Sequence, residues 1–522
     1  MNSFFHSLIR PPRQLACVLA AILLVIALAN VFVGLGSSRI HSWDEARHGV
    51  SACEMMESGN YIVNTYSFRP DYWNVKPVLS FYNNMLGMAV FGKNNFGMRF
   101  FSAFCYLIVA ALTFYLLWRE SGPAAALAGA AAFIVSPTNW THCFRTGDPD
   151  AAFMMFCFAA FVCLWYSRRK AWLLPAAAAL LALAFLTKSF HVGVPGILAV
   201  IFVLANWKKY SWRHLLAAVA AGLAPVLIWG IARYCADGWR FFESMISLDL
   251  LGRMSEEQLT EHQASPWYDY FGTLNHYLLV IPLGTLAASA VLFCVFKFKG
   301  ARGFLSVSGS LWKWAAFNFA FSFVAFSCCN VKLSWYIFPS LLYLPVVFGV
   351  FFQMACDWLR EEADRKRGML HILPPLVIIA GCFVWICVGE GKAIRHLVKL
   401  EPQRSVLTDG ESAGELRGGV FCCVAPNGKS LLPDQKYLLV IRFLGGKTVL
   451  HDVEEYKNDP GGALLLCTFE DDKHDDALRI QAEKFASKHG LHLIRSTYGQ
   501  ALFRVAEPPA DSNTIKQESD ES

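Results

Sequence analysis

The chain has 522 residues, of which 55% are hydrophobic and only 16% charged. A soluble protein carries about 25% charged residues, so this composition excludes a water-soluble globular enzyme with one anchor and implies an integral membrane protein with many spans. The formal net charge of +6 carries meaning only once it is located along the chain. Most of the cysteines sit in apolar runs, among them Cys105, Cys157, Cys163, Cys294, Cys382 and Cys387, where they behave as small hydrophobes. No CxxC pair has the spacing of a zinc or redox site.

Arg10 and Arg13 precede the first apolar run, Leu15 to Leu35. That run is too long for a signal-peptide core and long enough to span, so it reads as a retained signal anchor. Ser42-Trp43-Asp44-Glu45-Ala46-Arg47-His48-Gly49 follows it. Ser42 with Glu45 three residues later is a capping-box pattern, which predicts a helix to about Glu57, stopped by Gly59-Asn60. Asp44, Arg47, His48 and Ser51 then share one face, and the helix dipole favours an ionised Asp44 in the first turn. The plain alternative is a local Asp44–Arg47 ion pair on a solvated helix.

Further apolar runs complete eleven candidate spans: Leu15–Leu35, Met98–Trp118, Ala124–Pro137, Ala151–Ser167, Ala171–Thr187, Phe190–Asn206, Leu215–Tyr234, Tyr270–Phe296, Leu311–Cys328, Trp335–Cys356 and Leu370–Val388. Lys and Arg in short loops set orientation. With the N-terminus inside, Arg119, Arg168-Arg169-Lys170, Lys208-Lys209-Arg213, Lys297-Lys299-Arg302 and Arg360-Arg365-Lys366-Arg367 all fall inside. The Asp44 loop, Arg145 to Asp150, Lys188, residues Asp237 to Trp267, Lys332 and everything after Val388 fall outside. The first outer loop, Gly36 to Gly97, contains a second helical segment from Lys76-Pro77 to Phe91, too short to span and read as interfacial.

From about Glu390 the chain changes character. Tyr437–Arg442, Thr448–His451, Ala463–Phe469, Leu491–Arg495 and Ala501–Val505 read as strands, and Asp475 to His489 as a helix ended by Gly490. The expected organisation is a membrane domain over 1–389, a small extracytoplasmic α/β domain over 390–507 and an acidic, disordered tail over 508–522.

Chemistry-bearing residues gather on the outer side. Asp148 and Asp150 enter directly into an apolar helix, where a pair of acids favours function; capping by Asp148 with Pro149 at the first helical position accounts for one of them. The Asp-x-Asp pair is also a start towards a divalent-cation site, with the metal unknown. Lys76, Lys188 and Lys332 either snorkel to the interface or hold phosphate. His262, in Glu261-His262 before Pro266-Trp267-Tyr268, is either structural or a substrate contact.

Asp44-Glu45-Ala46-Arg47, Lys76-Pro77, Arg145-x-x-Asp148-x-Asp150-Ala151, Leu186-Thr187-Lys188 and Lys332-Leu333-Ser334-Trp335-Tyr336 occur in an order that resembles the membrane glycosyltransferases of the C-type fold. Among them the nearest likeness is to the aminoarabinose lipid A transferases and protein O-mannosyltransferases. The resemblance covers most of the membrane part. It implies an α-helical polytopic membrane protein of about eleven spans with the C-type fold and a small C-terminal α/β domain. It also implies a polyprenyl-phosphate-linked sugar as donor and inverting transfer, at the outer face of a bacterial inner membrane, to a lipid A, envelope-glycan or protein acceptor. On this resemblance Asp44 acts on the acceptor hydroxyl, Glu45 beside it in the motif contacts substrate, and Asp150, with Asp148, supports the site. Arg47, Lys76 and Tyr336 hold the lipid phosphate, with Lys188, Lys332 and His262 as further substrate contacts. The lipid A branch often carries an acid just before the Lys-Pro pair, linked there with a His in a metal site; this chain has Asn74-Val75 at that place.

The chemistry suits these groups. Sugar transfer from a phosphate passes through an oxocarbenium-like state, a carboxylate can take the acceptor proton, and Arg and Lys stabilise the departing phosphate. A transporter or flippase of lipid-linked sugars is the competing class; against it, the polar clusters lie at one face, not at the midplane of broken helices. A scaffold that merely displays the tail domain leaves the acids unexplained.

Overall fold

The computed structural model describes residues 13–41, 44–136, 139, 142–251, 266, 268–276, 310–329, 332–365, 369–401, 404–408, 414–469 and 475–505. Two compact units emerge: Met1–Ser37 with Met55–Leu400, and Ser38–Glu54 with Glu401–Ser522.

The first unit is a helical bundle. Its helices in chain order are α1 (Arg13–Phe32), the end of α2 (Asp44–Ser58), α3 (Leu79–Phe91), α4 (Asn95–Glu120), α5 (Pro123–Ile134), α6 (Asp150–Ser167), α7 (Leu173–Lys188), α8 (Gly193–Ala205), α9 (Trp212–Asp237), α10 (Arg240–Ser244), α11 (Asp269–His276), α12 (Ser310–Ser327), α13 (Phe338–Leu341), α14 (Leu344–Asp364) and α15 (Met369–Val398). Among the described residues seven stretches are long and apolar enough to cross a membrane, and the chain is an integral membrane protein. The eleven expected spans differ from these in four places. The third is a 12-residue helix, about 18 Å long against a hydrocarbon core of about 30 Å. The fifth and sixth form one apolar run, Leu173–Ala205, broken where Ser189 takes φ 48°. Most of the eighth lies outside the described residues. The ninth, Leu311–Cys328, is the helix α12, which is not among the seven.

Burial sorts the helices. The stretch Asp150–Ser167 and most of Ser334–Asp364 are buried, forming the centre with α5. Residues such as Phe133, Phe144, Phe158, Tyr343 and Phe348 interlock there. Around them, α9 leaves Leu216, Ile228 and Ile231 exposed, an apolar outer surface suited to lipid. Gly129 on α5 and Gly349 on α14 let two central helices touch backbone to backbone: a Cβ on Gly349 would stand 2.6 Å from the Ala125 carbonyl oxygen, and one on Gly129 2.8 Å from that of Pro345. Small residues at such crossings replace the hydrophobic drive that lipid removes.

The stretch after α2 is a built loop. Gly59 (φ 71°) ends the helix in the left-handed conformation that glycine adopts at least cost. A two-residue hairpin, β1 (Thr65–Tyr66) against β2 (Arg69–Pro70), follows. The buried Asn64 amide donates to the carbonyls of Asp71 and Asn74 at 3.2 and 3.0 Å, and the Asp71 carboxylate accepts from the Trp73 and Asn74 N–H groups. Arg233 of α9 clamps the loop through the Ile62 carbonyl and Asn64 Oδ1, at 3.1 and 2.9 Å. This holds the chain that leads into Lys76.

The second unit is α/β. It combines β3 (Val420–Val424), α16 (Gln435–Phe443), β4 (Lys447–Val449), α17 (Val453–Asn458), β5 (Leu464–Thr468), α18 (Asp475–His489), β6 (Leu491–Thr497) and β7 (Gln500–Val505) with the start of α2. The sheet order is β4-β3-β5-β7-β6, with β3 parallel to both neighbours and β7 antiparallel to both of its own. Leu478, Ala482, Phe485 and Ala486 of α18 pack on Leu465, Cys467 and Phe503 of the sheet, each large side chain contributing roughly 1.5–3 kcal/mol. The strand expected at Tyr437–Arg442 is a helix, α16. Its run Tyr437 to Ile441 is buried throughout, a pattern that strand and buried helix share, and the Asp434 carboxylate caps it by accepting from the Lys436 N–H at 3.0 Å.

Candidate active site

The first unit gathers a polar cluster from four separate stretches. Asp150 opens α6 and pairs with Lys188 at the end of α7; their side chains are 5% and 6% exposed. Next in the chain, the Ser189 hydroxyl donates to Asp249 Oδ2. The other oxygen of Asp249, buried in the short π-helix Met245–Leu251, accepts from Lys76 Nζ at 2.6 Å. Lys76–Asp249–Ser189 and Lys188–Asp150 thus form one continuous polar line. The Lys188 ammonium lies 5.3 Å from the Tyr336 ring centroid, a cation–π distance. The His191 ring meets the same Tyr edge to face at 5.0 Å.

Asp148 does not cap α6: Pro149 holds the cap position with no side-chain cap hydrogen bond. Asp148 is buried and lies 3.6 Å from His142 Nε2, whose ring stands 4.8 Å from that of Trp335. Between these groups, burial with the charge of Asp150 pushes the Cys143 thiol well up, so it is no thiolate nucleophile. Arg145, read from sequence beside the two acids, turns away from them. Its guanidinium donates to the carbonyls of Asn30, Val31 and Val33 at 2.7, 3.0 and 2.7 Å, the orphan acceptors that end α1. Burial and the charge of Arg99 lower its pKa to about 10, so it remains charged at neutral pH.

The structure therefore brings together Lys76, Asp148, Asp150, Lys188 and Tyr336. Lys332 donates to the Cys329 carbonyl at 2.6 Å. His262 lies outside the described residues. Asp249, Ser189, His191 and His142 were missed from sequence. The one available signal was Asp249 as the only charge in Met245 to Leu251, since a lone acid in an apolar run is a functional pointer.

Asp44, Glu45 and Arg47 belong to the second unit. Asp44 is the first residue of α2 and exposed, whereas Arg47 is half-buried, and His48 and Ser51 are buried, so the expected shared face runs from solvent into the interior. The Glu45 carboxylate is fully buried and accepts from the His41 N–H at 2.8 Å, which gives it a part in starting the helix. Farther along, Glu54 meets Arg442 Nε at 2.8 Å, both fully buried.

Among the described residues no three His, Cys, Asp or Glu side chains gather as a metal-binding group. Asp148 and Asp150 each face a base instead. What the cluster offers is two desolvated ammonium groups held by carboxylates in an apolar bundle. An arriving phosphate can share them, and low dielectric strengthens such contacts.

Residues 75–229 match the family of dolichyl-phosphate-mannose-protein mannosyltransferases; that stretch contains Lys76, Asp148, Asp150 and Lys188. The chain is 28% identical over 388 residues to an undecaprenyl phosphate-alpha-4-amino-4-deoxy-L-arabinose arabinosyl transferase of Pseudomonas fluorescens, over 69% of this chain and 64% of that protein. A transferase of the same description from Edwardsiella ictaluri is 28% identical over 63% of this chain and 58% of its own length. The chain thus spans less than two thirds of the length of these relatives. Crystal structures of ArnT from Cupriavidus metallidurans superpose with TM-scores of 0.62 when bound to undecaprenyl phosphate and 0.65 in the apo state. Identity is 15% in both, covering 94% and 93% of this chain and 99% and 97% of theirs. The fold is therefore that of ArnT.

Proposed function

We propose that the chain is an inverting membrane glycosyltransferase. It moves a sugar from a polyprenyl-phosphate donor to an acceptor hydroxyl or phosphate at the outer membrane face. The observation that carries this reading is the buried line Lys76–Asp249–Ser189 and Lys188–Asp150 under Tyr336. As the sugar leaves, its phosphate gains charge. Lys76 and Lys188 receive that charge, with Arg47 assigned to the same phosphate by the motif resemblance alone, while Asp150 and Asp249 hold the two lysines in place in apolar surroundings. Asp44 takes the acceptor proton. The relatives' donor, an undecaprenyl-phosphate-linked aminoarabinose, is the first substrate to try, with lipid A, another envelope glycan and protein as acceptors. The test is transfer by the reconstituted protein from the purified sugar lipid, with products read by mass spectrometry. Flipping of the lipid without transfer would overturn the reading in favour of a transporter.

Removing Lys76 should be felt at the donor. A hydrogen bond to a charged group is worth about 1.5–3 kcal/mol, so Lys76→Ala should raise the KM for donor lipid roughly ten- to hundredfold while the fold persists. Arg47→Ala should shift KM in the same direction. Normal donor kinetics in either variant removes that residue from the phosphate site.

The orientation belongs to the same proposal: N-terminus cytoplasmic, residues 390–507 extracytoplasmic. It rests on the alternation of Lys and Arg between loops. A reporter fused after Arg367 should read cytoplasmic and one after Pro508 periplasmic. Both on one side would overturn it.

A further inference from the structure

The far end of α6 carries a second polar feature that the transfer chemistry does not use. A hollow of about 480 Å³ opens there, lined by Glu120, Trp165, Arg168, Arg169, Lys209 and Trp312 among others. Three cations face one acid. The Arg168 guanidinium lies 3.6 Å over the Trp165 ring and its Nε donates to the Trp165 carbonyl at 3.1 Å. Arg169 forms a two-bond fork with Glu120, at 2.7 and 3.1 Å. Burial and the adjacent charge of Arg169 both lower the pKa of Arg168, two penalties that a bound anion would relieve.

The position of the hollow narrows the ligand. From Asp150 to Ser167 α6 rises about 26 Å, close to the thickness of a hydrocarbon core. The hollow thus lies at the opposite membrane boundary from the Lys188–Asp150 pair. Around it the helix ends carry Trp172, Trp207 and Trp212, at 63%, 63% and 68% exposure, and indoles gather at the headgroup level of bilayers. Basic hollows between membrane helices at this depth suit anionic headgroups. Its size lies within the range of small-ligand pockets. We propose that this hollow binds the phosphodiester headgroup of an anionic phospholipid of the phosphatidylglycerol class, with Arg168, Arg169 and Lys209 on the phosphate and Trp165 and Trp312 flanking the glycerol. The site is separate from sugar transfer and does not depend on that reading.

The experiment uses the full chain in nanodiscs, with bound lipid counted by native mass spectrometry and thermal stability followed during titration. Phosphatidylglycerol should be retained and should stabilise the protein; phosphatidylcholine should do neither. Near a membrane surface each basic residue is worth about 1 kcal/mol, so the Arg168→Gln/Lys209→Gln variant should bind phosphatidylglycerol about thirtyfold more weakly. Lys209→Gln alone, on an exposed turn and harmless to packing, should cost about fivefold. Equal phosphatidylglycerol affinity in wild type and Lys209→Gln would overturn the site, whatever the fate of the double variant. Equal stabilisation by inorganic phosphate without lipid would overturn the lipid assignment and leave a free-anion site.

Discussion

Asp44→Asn is expected to insert, fold and bind donor lipid, yet to lose sugar transfer by roughly 10²–10⁴-fold, the usual contribution of a general base. Asn keeps the shape of Asp and can still hydrogen-bond at the helix start, but it cannot take a proton at neutral pH. The substitution therefore separates chemistry from architecture. Asp44 is exposed at the first position of α2, where the helix dipole interacts favourably with a negative charge. Its neighbour Glu45 is buried with the His41 N–H and takes the local structural work. If Asp44 served only as a surface charge, its loss would cost no more than about 1 kcal/mol of stability and leave turnover intact. Near-normal transfer by a folded Asp44→Asn protein sinks the assignment. Asp150 is then the next carboxylate to test, with the added complication that its removal leaves Lys188 buried without its partner.

The second large effect is on stability. Glu54 and Arg442 form a fully buried pair, and Arg442 also donates to the Gly446 carbonyl at 3.0 Å. Removing one partner of such a pair typically costs 3–5 kcal/mol, because the other charge is left in low dielectric. Arg442→Met and Glu54→Gln should each destabilise the second unit by about that amount, read as earlier thermal unfolding and faster proteolysis of the C-terminal region. The double variant Glu54→Leu/Arg442→Met should recover most of the loss, since replacing both charges by apolar groups is often neutral or better. Asp44 stands on the same helix as Glu54, so both single variants should also lose transfer. Single variants within about 1 kcal/mol of wild type would contradict the buried pair.

Local pattern made much of the fold legible. Helical spacing with Gly59 as stop gave the helix now bounded by Asp44–Ser58, and α18 runs over Asp475–His489 as read. Where apolar residues run without a break, as at Tyr437 to Ile441, period alone does not separate strand from buried helix. The site was legible as a set of residue types and not as a wiring. Lys76 finds Asp249 at a separation of 173 residues, and no spacing rule reaches that far. Arg145 misled for the same reason: adjacent to two acids in sequence, it answers instead to the end of a helix more than a hundred residues earlier.

That last contact gives the first span a duty beyond anchorage. Arg145 grips the carbonyls of Asn30, Val31 and Val33, and three residues on stands Asp148. The position of the acids is thus measured from the end of α1. One residue added to that helix would advance its end by about 1.5 Å and swing it by about 100°, taking the grip away with it. Any apolar segment of sufficient length could tether the chain, but only one of the right length serves as a ruler for the chemistry.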